Sequence, residues 1–383
     1  MAKFVVLFGA GASIDAGLPS ANKLTETVYQ SLIDAKSSDV KLFGLMIAKL
    51  KVRNVRRGGS PFEAINVEEV YDALKRFINR EADLISEFVQ SWDQISTNGT
   101  SEFDADGFAR HLASSFQVRS DRRFDGGPSL SISNRDIVAA TEKLQAAFGG
   151  EFFRLRGASL DPFINTLSTS LEFEDEKISY MERFLDIVAK PALCLATLNY
   201  DRVVERSFEN KRYKFDLGLS QWNDKRFVKF HGRSPKLIKL HGSVDWFLKN
   251  EDEIQVGERD QLVSMKRAMI FGGQNEKLVP HGPFLHLRHE FQSFLREASA
   301  LVVVGYSFGD AHLNAIIRSW VATRHKANML VVDPSGFPAD HPVMRYSKKN
   351  RNPEASSEGV ALEVVQKGFA NAIDDIEQFL ARA

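Results

Sequence analysis

Four short apolar runs rich in β-branched residues, each breaking into glycine or polar residues at its C-terminal end, constrain the fold more than any other feature. They are Lys3–Gly11 (KFVVLFGAG), Ala192–Asp201 (ALCLATLNYD), Ala300–Asp310 (ALVVVGYSFGD) and Asn328–Gly336 (NMLVVDPSG). Runs this short that stay apolar at consecutive positions are buried on both faces, the habit of strands in a parallel sheet covered by helices. The expected fold class is therefore α/β, a Rossmann-like doubly wound parallel sheet. Past Asp333 and Pro334 no comparable run follows, so the sheet is expected to finish near there.

The first and second runs lie far apart, and the sequence between them has helical periodicity. Val67, Val70, Leu74, Phe77, Leu84, Phe88 and Trp92 recur at three- and four-residue steps, which puts them on one helix face. A second such face runs through Ile178, Met181, Leu185 and Val188, with Pro191 limiting its extent. This reads as a large α-helical insertion domain over residues 23–190, set into a Rossmann-like domain formed by 1–22 and 191–383. The polar, breaker-rich stretch Arg119–Asn134 is expected to be a loop. At the other end, Phe369, Ile373, Ile376 and Leu380 mark a helix that closes against the sheet.

Composition narrows the function. Lysine plus arginine and aspartate plus glutamate each number 50, so the charge balance gives no support to a nucleic-acid or membrane surface as main partner. A solvated loop is the expected role of Lys348–Arg351 (KKNR). The single cysteine, Cys194, sits in an apolar run without charged neighbours and reads as a buried thiol, and no disulfide or cysteine zinc site can form within the chain. The stretch Phe4–Phe8 is too short for a signal peptide's apolar region, and no run approaches a membrane span. A reducing cytoplasm is the expected location, which makes Asn98-Gly99-Thr100 a loop rather than a glycosylation site.

In a doubly wound sheet, ligands bind outside the carboxyl ends of the strands, where glycine lets backbone amides approach a phosphate. Gly9, Gly11 and Ser13 fit that role, although Ile14 stands where the dinucleotide fingerprint has its third glycine and the phosphate-loop pattern is missing. Other strand ends add Thr197, Asn199 and Asp201, then His241-Gly242-Ser243, then Gly305, Ser307 and Asp310, and finally Asp333. Acids at such positions bind ribose hydroxyls, and small residues leave room for phosphate or base. Competing readings accompany several of these. Asn199 and Asp201 can cap a helix starting near Arg202. His231-Gly232 is a rival His-Gly pair, though His241 has the better strand before it. His281, His286 and His289 invite a metal site, but no catalytic zinc pattern supports one. Ser307 superficially resembles a nucleophile elbow.

Gly9-Ala10-Gly11-Ala12-Ser13 with Gly17 and Pro19, Thr197-Leu198-Asn199-Tyr200-Asp201, Leu240-His241-Gly242 and Gly305-Tyr306-Ser307 together resemble, in order, the motifs of sirtuins. Tyr200 and the GYSFGD ending are more similar to sirtuin-like NAD hydrolases of bacterial antiphage defence than to protein deacylases. Two departures agree with that: Ser20-Ala21-Asn22 replaces the deacylases' Asp-Phe-Arg, and one cysteine cannot make their four-cysteine zinc module. The resemblance implies NAD as substrate, no zinc, and cleavage of NAD+ to nicotinamide and ADP-ribose, depleting NAD in abortive infection. It implies Asn199 and His241 as catalytic residues, with Asp201 supporting charge or binding ribose. Gly9, Ala10, Gly11, Ser13, Pro19, Thr197, Gly305, Ser307 and Asp333 would line the dinucleotide. Chains of this kind resemble the subunit paired with a HerA-type hexameric ATPase, which implies a homo-oligomer; a short Argonaute is the alternative partner. A non-catalytic NAD or ADP-ribose sensor and an NAD-dependent deacylase are the competing functions.

Overall fold

A computed structural model describes residues 4–37, 39–60, 62–78, 160–188, 193–249, 252–257, 265–271, 282–324, 326–337, 341, 343–344 and 359–382. The sites at Asn98, Leu84–Trp92, Arg119–Asn134, His281 and Lys348–Arg351 lie outside them.

All four apolar runs form strands: β1 (Phe4–Phe8), β2 (Cys194–Thr197), β7 (Ala300–Val304) and β8 (Lys326–Val332). With β3 (Lys236–Lys239) and β9 (Gly359–Val365) they make one parallel sheet in the order β3-β2-β1-β7-β8-β9. That is the doubly wound order, reversing between β1 and β7. The sheet thus does not finish near Pro334, as expected from sequence. Its last strand was missed because Val360-Ala361-Leu362-Glu363-Val364 alternates with a charged residue, as an edge strand does, rather than running apolar throughout. The segment after β3 adds a small antiparallel sheet, β5-β4-β6, from β4 (Gly242–Leu248), β5 (Ile254–Val256) and β6 (Lys266–Met269).

Alternation along each strand builds two cores. Val5, Leu7, Cys194, Ala196, Leu301, Val303, Met329 and Val331 face one side, where Phe291, Leu295, Ile317 and Trp320 cover them. Val6, Phe8, Leu195, Val302, Val304, Leu330 and Val332 face the other, covered by Ile178, Met181, Phe184, Phe208, Phe369 and Ile373. Each Val, Leu, Ile, Phe or Met side chain among them contributes roughly 1.5–3 kcal/mol when fully buried, which is why the runs are apolar at consecutive positions. Burial pushes the Cys194 thiol well above its usual range, so it stays protonated.

The chain divides into two units, one of residues 1–21 and 167–383, the other of 22–166. The helix carrying Met181, Leu185 and Val188 therefore belongs with the sheet rather than with the helical unit assigned up to residue 190. Its apolar face is the one read from the sequence, and all three side chains are fully buried. In the helical unit, helices α1 (Ala21–Asp34), α2 (Val40–Arg56) and α3 (Val67–Ile78) bury Val28, Leu32, Phe43, Val70 and Leu74. Phe43 packs between Tyr29 and Phe163, and buried Thr25 Oγ1 donates to Ile65 O at 2.6 Å. Continuing in chain order, α4 is Asp161–Thr169, α5 Ser179–Val188, α6 Val203–Asn210, α7 Trp222–Lys225, α8 Phe284–Glu297, α9 Ala311–Thr323 and α10 Phe369–Arg382.

Candidate active site at the sheet switch point

The carboxyl ends of β1 and β7 meet where the strand order reverses, the position at which such sheets hold ligands. The glycines there act first on each other. A Cβ on Gly9 would lie 2.6 Å from Gly305 O, one on Gly11 2.6 Å from Gly305 Cα, and one on Gly305 2.4 Å from Ala12 N. The Gly9 and Gly11 N–H groups donate to Val304 O and Gly305 O, both at 2.9 Å. These two amides are therefore spent on the neighbouring strand end, so the expectation that they reach a phosphate gives way to a joint between two loops. The chain leaves it as a 3₁₀ turn over Ala10–Ala16, closed by Gly17 at φ +84°. Tyr180 on α5 donates to Ala12 O at 2.8 Å and pins that turn from below; no periodicity argument singled it out.

Strand β2 ends at Thr197, so Thr197, Asn199 and Asp201 do not keep a strand's alternation. Thr197 Oγ1 accepts from Asn199 N–H at 3.0 Å. The Asn199 carboxamide then donates to Gly9 O and to the buried Ser13 Oγ, each at 3.0 Å. Both amide hydrogens are thus engaged on the glycine loop, and its acceptor oxygen carries whatever further chemistry the side chain has. Asp201 turns towards the helix that follows, Oδ1 accepting from Val203 N–H at 3.0 Å; the N-cap itself is Arg202, so Asp201 closes the turn one residue before the cap.

Lys239, entirely buried at the end of β3, donates to Asp201 O and to Glu205 Oε1, the latter at 2.6 Å. Burial pushes the Glu205 carboxyl above its usual range, against the pull of Lys239. A lysine inside an alternating strand gave no cue that it was interior.

His241 follows β3 directly and is buried, with Nε2 3.2 Å from Asp310 Oδ2. Its ring lies 6.1 Å from that of Tyr200, whose hydroxyl donates to Ile270 O at 2.7 Å. Asp310 in turn caps α9, accepting from His312 N–H at 2.9 Å and Leu313 N–H at 3.1 Å. Arg288 on α8 is close enough for Asp310's charge to act on it, while burial lowers its pKa. The contacts form a closed circuit: Asn199 touches the β1 loop, that loop abuts Gly305, the β7 loop brings Asp310 to His241, and His241 returns to Tyr200 beside Asn199.

The remaining predicted residues are placed differently. Ala10 is half-buried on the turn, Pro19 is half-buried just past it, and Ser307 is exposed on the β7 loop. Asp333 forms a local turn, Oδ1 accepting from Ser335 N–H at 2.9 Å. The rival His231 is exposed. His286 packs edge-on against Trp222 at 5.4 Å, and His289 is 70% exposed beside Glu290.

No helix among the described residues is long and apolar enough to cross a membrane. No curated protein matches the chain. Among solved structures, Sir2 in complex with the inhibitor EX-527, 2'-O-acetyl-ADP-ribose and deacetylated p53 peptide matches at 12% identity and TM-score 0.36, covering 100% of this chain and 95% of that one. A Sir2–p53 peptide–NAD+ complex matches at 14% identity and TM-score 0.35, covering 100% and 94%. The fold assignment rests on strand order and register, not on these overlaps. A family model described as a SIR2-like domain matches residues 194–354, which include Asn199, His241 and Asp310. That match spans the strand ends that build three sides of the circuit and makes this part of the chain similar to SIR2-like domains.

Proposed function

We propose that the chain is an NAD+ glycohydrolase, cleaving NAD+ to nicotinamide and ADP-ribose. The observation that carries the reading is the closed circuit at the switch point, in which a carboxamide and an imidazole from adjacent strand ends are held by the glycine loop and a buried acid. Breaking the bond between nicotinamide and ribose develops positive charge on the sugar, so the site must hold the ribose and deliver water to C1'. Nicotinamide leaves with the electron pair of the broken bond and becomes neutral. Water supplies the new C1'–O bond, and its proton passes to His241 and then to solvent. Such proton transfer contributes about 10²- to 10⁴-fold.

The Asn199 oxygen orients the water or a ribose hydroxyl, and Ser13 fixes that oxygen's direction by accepting from the amide. Asp201 holds the turn after Asn199 through Oδ1 and remains the proposed group that supports charge or binds ribose. Ala10, Pro19, Ser307 and Asp333 remain proposed dinucleotide contacts, with Thr197, Gly9, Gly11 and Gly305 shaping the loops that present them. We further propose, from the motif resemblance, a cytoplasmic role in depleting NAD during antiphage defence, as a homo-oligomer with a HerA-type ATPase. The test is nicotinamide release by purified chain, alone and with a HerA-type ATPase. Turnover that disappears in N199A and H241A supports the assignment; tight NAD+ binding with no turnover under either condition favours a sensor, and release only with acyl-lysine peptide favours a deacylase.

A further inference from the structure

We propose that Asp310 is a positioning residue that fixes the tautomer of His241, so that the proton sits on Nε2 and Nδ1 is the basic nitrogen. This rests on the reading of His241 as the proton acceptor.

The two oxygens of Asp310 have different jobs. Oδ1 accepts two backbone N–H groups at the start of α9, from His312 and Leu313, so it can only be an acceptor. Oδ2 faces His241 Nε2 at 3.2 Å, with both side chains about 95% buried. A carboxylate can only accept, so the imidazole nitrogen opposite it carries the hydrogen. Arg288 on α8 is the nearby cation on which Asp310's charge acts.

The loop bearing Asp310 is built to hold this geometry. Gly305 at φ +61° and Phe308 at φ +56° both take the left-handed conformation, which for phenylalanine must be imposed by its surroundings. Those surroundings are specific: the Tyr306 hydroxyl accepts from Asp310 N–H at 3.1 Å and donates to Asn314 Oδ1 at 3.0 Å, and Asn314 Nδ2 donates to Phe308 O at 2.6 Å. The Phe308 ring packs on Tyr306 at 4.7 Å.

Because Oδ1 is committed to two donors, D310N has one permitted orientation. The amide oxygen must replace Oδ1, which puts the NH₂ group against His241 Nε2 and forces the ring proton onto Nδ1. Asparagine caps helices as well as aspartate does, so this variant keeps the fold and changes the tautomer. D310S keeps a capping oxygen and removes the carboxylate oxygen opposite His241 Nε2.

Two measurements test this. In nicotinamide release, D310N is expected to lose on the order of 10²- to 10⁴-fold in kcat with little change in KM, and D310S to lose less. A D310N enzyme as active as the parent, or one less impaired than D310S, overturns the proposal. Independently of any turnover, long-range nitrogen–proton NMR of the free protein at about pH 8, with H241Q to assign the signal, reads the tautomer directly. The parent is expected to show His241 protonated at Nε2 and D310N at Nδ1; an Nδ1-protonated parent, or no change in D310N, refutes it. If the parent releases no nicotinamide, the proposed function fails while the NMR result still decides the role of Asp310.

Discussion

Removing Lys239 is expected to destabilise the α/β unit severely, and removing its partner at the same time to restore most of the loss. The Lys239–Glu205 pair is 2.6 Å apart with side chains 0% and 5% exposed. K239M leaves a carboxylate buried without a counter-ion, at about 3–5 kcal/mol, and strands the Asp201 carbonyl, at about 1–3 kcal/mol. The double variant K239M/E205L removes both charges and fills their space with apolar atoms, so only the carbonyl loss remains. The coupling between the two sites should therefore be of the order of 3 kcal/mol, read as denaturant midpoints at neutral pH. The loss should also depend on pH with a definite sign. Glu205 is already raised above its ordinary value by burial, and without Lys239 it rises further. The protonated form is then the one the fold tolerates, so the K239M deficit is full at neutral pH and shrinks as pH falls towards the ordinary glutamate range. Additive single and double variants, or a deficit that grows on acidification, would refute the reasoning.

Three further outcomes follow from the same contacts. G305A combines a left-handed φ of +61° with a Cβ 2.4 Å from the Ala12 backbone nitrogen, and should cost about 2–5 kcal/mol in thermal or denaturant unfolding; a melt unchanged from the parent would show that the two loops can part freely. Y200F removes a 2.7 Å hydrogen bond to the Ile270 carbonyl and is expected to cost about 1–3 kcal/mol in the same unfolding measurement. S13A takes away one acceptor of the Asn199 amide, and should lower kcat for nicotinamide release with a smaller change in KM; loss of stability without loss of rate would make Ser13 structural only.

Much of this architecture was legible because consecutive burial leaves a plain mark. Val5–Phe8 and Leu301–Val304 need apolar side chains on both faces, and the same two-faced demand told the parallel sheet from an amphipathic one. Helix faces such as Ile178–Val188 were equally readable. Edge strand β9 and the β4–β6 sheet were not, since strands with one exposed face share their alternation with ordinary polar segments. At the site, glycine spacing pointed to the correct strand ends but not to what the glycines do, because a close approach between Gly11 and Gly305 joins segments nearly three hundred residues apart in sequence. Asn199 and His241 were singled out from strand-end position, and the structure places both at the switch point. Their supports, Tyr180, Lys239 and the capping side of Asp310, were not, because each is defined by a partner distant along the chain.

The central claim is that four strand ends converge on one labile glycosidic bond. Incubating purified chain with NAD+, with and without a HerA-type ATPase, and quantifying nicotinamide and ADP-ribose tests it most directly. The account predicts equal amounts of the two products, and none from N199A or H241A variants that melt as cooperatively as the parent. Undiminished release by both variants would contradict it.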